Sequence, residues 1–207
     1  MFLLSPASSA GKRSEQLLAH GAAFDLALRV RDGGAPIGEV FCFLSSLYFR
    51  GKLTYAQRFA AAPPGCPGVL VITAGRGLVV PETAITVRDV RAFRRVAIDA
   101  TEPRYAAPLR RDAEALRARL PAGSEIVLLG SIATAKYVDV LGAVFERSLL
   151  FPGEFVGRGD MSRGGLLLRA VGAGVELDYR PVDGARRRGP RPAKLASARR
   201  PAARPVV

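Results

Sequence analysis

The chain has 207 residues, 49% of them hydrophobic, with a mean hydropathy of +0.15 and a formal net charge of +13. That length suits about one globular domain with a sizeable core. No apolar run is long enough for a membrane span, and an excess of positive charge this large favours polyanionic partners. With His20 the only histidine, a His-rich metal site is excluded and a Ser-His-Asp or Cys-His device is poorly supported.

The charge is uneven. From Asp183 to Val207 eight cations face one acid, a net +7, and residues 1–182 carry the remaining +6. The segment 183–207 is rich in Arg, Ala and Pro without periodicity and is expected to be a disordered basic tail. Residues 1–182 are expected to form one α/β domain. At the start, MFLLSPASSAGKR places its cations after its apolar residues, the reverse of a signal peptide, so a cytoplasmic chain is expected. Cys42 lies in an apolar run and Cys66 in a Pro/Gly loop, and neither has ligand-spaced neighbours.

In chain order, Met1–Leu4 reads as a buried first strand. It opens into a small-residue loop, Ser5 to Arg13, that in an open α/β sheet would line the ligand crevice. The loop includes Ser5 and Lys12 but lacks Walker A spacing. Phe24–Arg31 reads as a helix stopped by Asp32-Gly33-Gly34, and Ile37, Val40, Phe41 and Leu44 share the face of another. Leu53, Ala56, Phe59 and Ala60 mark a further helical face. Before them Tyr48, Arg50 and Lys52 set an aromatic among cations, a pattern that suits a base or phosphate as well as a core. Gly68–Ala74 is the clearest strand, continuous and β-branched, and runs into Gly75-Arg76-Gly77. Thr86 and Asp89 fit a capping box for a short helix, and Val96–Ile98 reads as a strand.

Leu4-Ser5-Pro6-Ala7 after the first strand, the Tyr48-Phe49-Arg50 and Tyr55-Ala56 segment, and Thr73-Ala74-Gly75-Arg76-Gly77-Leu78-Val79-Val80-Pro81 resemble the YaaA-type peroxide-stress proteins and related uncharacterised bacterial and phage domains. The likeness covers about the first half of the chain. Thr73, Ala74, Gly77, Leu78 and Pro81 fall in register with the family's Ser-Ala-x-x-Gly-Leu-x-x-Pro, with Thr73 replacing its Ser and Arg76 at an often aromatic position. The resemblance implies an α/β fold with a basic cleft and affinity for DNA or a nucleotide, and assigns no chemistry.

Further on, Pro108–Leu120 reads as the strongest helix, Glu125–Leu129 as a strand, Ser131–Phe145 as a helix and Leu149–Phe151 as a strand. After these, the glycines at 157, 159, 164 and 165 surround Arg158, Asp160, Ser162 and Arg163, a composition suited to a loop enclosing an anion. Gly165–Ala170 and Val175–Tyr179 then read as a closing pair of strands or as a helix and a strand.

The fold class expected is a single three-layer α/β domain with a mostly parallel central sheet. The ligand expected is nucleic acid or a nucleotide, held by Ser5, Lys12, Arg76, Ser131, Lys136, Arg158, Ser162 and Arg163, with Tyr48, Arg50 and Lys52 as nucleic-acid contacts. A strand-Gly130-Ser131-helix junction would turn backbone N–H groups toward a phosphate. Asp160 is the one carboxylate in the cationic cluster. It is read either as a general base or ribose-hydroxyl acceptor, or as a brace pairing with Arg158 or Arg163. The alternative function is an enzyme acting on a nucleotide or nucleobase, by glycosidic-bond cleavage or base modification, with Asp160 as its acid-base group. Scattered carboxylates and the lack of a dinucleotide fingerprint point to no metal and no cofactor.

Overall fold

The computed structural model describes residues 1–193 and Leu195, so part of the expected disordered tail, at 194 and 196–207, lies outside the described residues. A six-stranded sheet forms the middle layer, in the order β4-β3-β1-β6-β7-β8. Its four inner strands, β3 (Val69–Ile72), β1 (Phe2–Leu4), β6 (Ile126–Leu129) and β7 (Leu149–Pro152), are mutually parallel. Antiparallel β4 (Leu78–Val79) and β8 (Tyr179–Pro181) close the two edges.

Side chains alternate across this sheet as period-2 geometry demands. Phe2, Leu4, Val69, Val71, Val127 and Leu129 enter one core, whereas Leu3, Leu70, Ile72, Ile126 and Leu128 enter the other. The first core is covered by α1 (Lys12–Leu18), α2 (Asp25–Asp32), α3 (Ile37–Ser45), α4 (Leu47–Phe59), α5 (Val87–Arg94) and α8 (Asp160–Ala173). The second is covered by α6 (Pro103–Arg119) and α7 (Ala135–Phe145). The result is the expected three-layer α/β domain. A two-stranded ribbon pairs β2 (Ala35–Pro36) with β5 (Ala84–Ile85) beside the first layer.

The connection from β1 to β3 packs on one face, and the connection from β6 to β7 places α7 on the other. The loops leaving β1 and β6 therefore diverge, and a crevice opens beyond their carboxyl ends.

Several expected boundaries differ. Val96–Ile98 is not a strand: both sheet edges are already occupied by β4 and β8, and Val96 and Ile98 instead pack half-buried against the cores. The helix expected from Pro108 starts at Pro103, where the Glu102 side chain accepts from the Arg104 N–H and Pro at the first position loses no bond, leaving Pro108 inside the helix. The helix expected from Ser131 begins at Ala135, so Ser131 lies in the preceding loop, where its Oγ accepts from the Ala133 N–H at 3.3 Å. The capping box forms as read, with the Thr86 N–H donating to Asp89 Oδ2 at 2.9 Å.

The largest difference concerns the glycine stretch. It is a loop only as far as Gly159, and from Asp160 it is helix α8, with Gly164 and Gly165 inside. Glycine is needed at 164 for contact rather than for turning. A Cβ there would stand 2.8 Å from the Leu47 carbonyl oxygen and 2.9 Å from Tyr48 Cα, and one on Gly51 would stand 2.8 Å from the Gly164 carbonyl oxygen. The two helices cross backbone to backbone at this pair. On α4 the buried face is Tyr48, Phe49, Lys52, Tyr55 and Ala56, whereas Leu53 and Phe59 of the expected face are half-buried and Ala60 is exposed.

Gly164→Ala must therefore force α4 and α8 apart. Overpacking of this kind costs about 1–3 kcal/mol, and thermal unfolding should show a Tm lower by several degrees, whereas Gly172→Ala, where a Cβ meets open space, should not lower it.

Candidate functional site

The crevice beyond β1, β3 and β6 has a volume of about 830 Å³. Its base comes from the end of β1 and two flanking helices: Ser5 after β1, Tyr48 from α4 and Tyr137 from α7. Phe41, Phe93 and Ala74 supply apolar wall. The rim carries Ser131, Lys136, Arg94, Arg95 and Asp160.

Ser5 is 4% exposed, and its position is fixed from both sides. Its N–H and its Oγ both donate to the Leu129 carbonyl, at 3.2 and 3.1 Å, which ties the end of β1 to the end of β6. From below, Lys52 donates to Ser5 Oγ at 2.8 Å and also to the Ser5 carbonyl oxygen. Lys52 is 1% exposed, with its Nζ 4.5 Å from the Tyr48 ring centroid and 4.8 Å from that of Phe49. Burial lowers its pKa to about 7, with Asp160 raising it and Arg163 lowering it.

The two tyrosines remain neutral. Burial pushes Tyr137 up to about 12, helped by the charge of Asp160 and opposed by hydrogen bonding to Ser5. Tyr48 is also raised by burial, and among the described residues its buried hydroxyl finds no hydrogen-bond partner.

Asp160, the first residue of α8, lines the crevice with its side chain 70% exposed. It pairs with Arg163 at 3.4 Å, and Arg163 in turn donates through Nε and Nη2 to the Phe155 carbonyl at 3.2 and 3.1 Å. Arg163 is thus buried behind the acid and does not line the crevice.

Of the residues singled out from sequence, Ser5, Tyr48, Ser131, Lys136 and Asp160 meet in this crevice, with Lys52 beneath it. Others lie apart. Arg76 pairs with Asp89 at 3.1 Å, and Arg50 and Lys12 are exposed elsewhere. Arg158 donates to the Glu154 carbonyl at 3.0 Å and to Ser162 Oγ at 3.3 Å, so this pair stabilises the turn before α8. Thr73 is buried and structural: its Oγ donates to the Gly77 carbonyl at 2.9 Å and accepts from the Arg76 N–H at 2.9 Å.

Arg94 and Arg95 were not singled out. They continue a ridge with Arg88 and Arg91 on α5, opposite the buried Val90 and Phe93. None of these four arginines makes an ion pair among the described residues. Their helical spacing is a signal the sequence does carry. Among the described residues no group of three or more His, Cys, Asp or Glu is placed to hold a metal ion.

Comparison with family models, curated proteins and solved structures finds no match to this chain.

Lys52 also gives the fold a distinctive pH dependence. Its folded pKa lies below the ordinary 10.5, so between about 7 and 10.5 the unfolded chain binds the extra proton and stability rises with pH. Chemical denaturation from pH 7 to 9 should show wild type gaining stability relative to Lys52→Met, by at most about 1.4 kcal/mol per pH unit. Parallel curves for the two proteins would mean that Lys52 titrates normally.

Proposed function

We propose that the crevice binds a phosphate-bearing ligand, nucleic acid or a nucleotide. The observation that carries this reading is the rim. Arg94, Arg95 and Lys136 stand at the mouth of a cavity large enough for a nucleotide, at the carboxyl ends of parallel strands. The arginines of α5 extend that charge outward: Arg88 and Arg91 line surface depressions that share Arg95 with the crevice. Such a continuous track fits a polymer of phosphates better than a free nucleotide. The resemblance of the first half of the chain to YaaA-type proteins supports the same reading, and a cytoplasmic role in stress response or nucleic-acid modification accords with it. None of the described helices is long and apolar enough to cross a membrane.

Filter binding of single- and double-stranded DNA and of tRNA tests this. Affinity at about 50 mM salt should fall steeply as salt rises, and Arg94→Ala with Arg95→Ala should reduce the log-log salt slope by about 2. Absence of binding at about 50 mM salt rejects nucleic acid as the ligand.

The exposure of Asp160 inside the crevice keeps a second reading open, an enzyme on a nucleotide or nucleobase with Asp160 as its acid-base group. Asp160→Asn should then abolish turnover with the melting temperature unchanged. A lower melting temperature with ligand binding intact would instead make Asp160 a brace for Arg163.

A further inference from the structure

We infer that Ser5 is a nucleophile, with Lys52 as its general base, directed at a phosphoester held in the crevice. This rests on the phosphate-binding reading and adds a reaction to it. Three features carry it. Ser5 lines the crevice, and its Oγ is 2.8 Å from Lys52 Nζ, within proton-transfer distance. Lys52 is buried under the rings of Tyr48 and Phe49; its burial favours a neutral amine at rest, and the ring faces meet the ammonium once a proton arrives. Among the described residues Lys52 has no ion-pair partner, since Asp160 is engaged by Arg163. A buried ammonium held only to anchor a strand end would be an expensive anchor.

The step balances without a co-reactant other than water. With Lys52 neutral, the Ser5 hydroxyl turns from the Leu129 carbonyl toward Lys52 Nζ, and Oγ forms a bond to phosphorus as its proton passes to that nitrogen. The P–O ester bond breaks, and the departing alkoxide takes that proton from Lys52. Water then attacks phosphorus, releases the phosphate and restores the Ser5 hydroxyl. Tyr137, kept protonated beside Ser5, is placed to donate to a phosphoryl oxygen, and Arg94, Arg95 and Lys136 face the ligand's charge.

A fluorophosphonate probe reports on this directly, because the serine oxygen displaces fluoride from phosphorus in the same geometry. Intact-mass and peptide analysis should find one adduct, on Ser5, absent from Ser5→Ala. Lys52→Met should slow labelling about 100-fold or more. The rate on wild type should rise with pH through a single group near 7. The charged and titratable groups acting on Lys52 are Asp160 and Arg163 of α8 and Cys42 of α3, and the Tyr48 ring faces it from α4 itself. The pH profile should therefore persist in Cys42→Ala. If Lys52→Met does not fold, the wild-type profile decides. No adduct on Ser5 up to pH 9, a flat profile, or undiminished labelling of folded Lys52→Met overturns the proposal. Retention of DNA affinity by Ser5→Ala alongside such a failure would leave the binding reading standing.

Discussion

The amine of Lys52 sits with both of its hydrogen bonds on one residue, at the place where the central strand of the sheet ends. Taking such a group out of water is costly unless its surroundings are fixed. Here they are fixed by the approach of α4 to α8. Gly51, next to Lys52, lets the two backbones touch, and Gly164 does the same from the other side. Three residues beyond Lys52, Tyr55 accepts from the Leu177 N–H at 2.8 Å, meets the Tyr179 hydroxyl at 2.6 Å and stacks edge-on against Phe2 at 5.7 Å. One helix thus ties the start of the chain, β8 and the floor of the crevice together. A small shift of α4 would move Tyr48, Lys52 and the Ser5 hydroxyl at once.

Charge follows a related logic. Many arginines are locally neutralised: Arg29 by Asp25 and Glu39, Arg104 by Glu102, Arg76 by Asp89. The ridge on α5 is not, and it borders the crevice. The net charge of +13 does not by itself locate the site, since Arg110, Arg117 and Arg147 also make no ion pair among the described residues and do not line the crevice. Such a ridge steers polyanions by long-range attraction and leaves selection to the groups inside.

The four inner strands were legible because buried parallel strands are continuous apolar runs: GVLVITA and EIVLL could hardly be anything else. The capping box at Thr86 and Asp89 was equally plain. The site was legible only in part. Lys52, a cation beside an aromatic, reads as a nucleic-acid contact, whereas it is 1% exposed: burial of a lysine is rare and depends on the α4–α8 contact, which no local pattern reveals. Gly164 and Gly165 read as loop because glycine disfavours helix. The use of Gly164 for close packing appears only when the partner helix is known. Ser131 was drawn to the wrong helix position because Gly130-Ser131 imitates a helix start four residues early.

A two-dimensional NMR titration of the protein with a short single-stranded oligonucleotide tests the central claim most directly. If the crevice is the binding site, amide shifts concentrate at Ser5 to Ala10, along α5 through Arg95, and at Ser131 to Tyr137. Shifts confined to residues beyond Asp183, with the crevice amides unmoved, would contradict it.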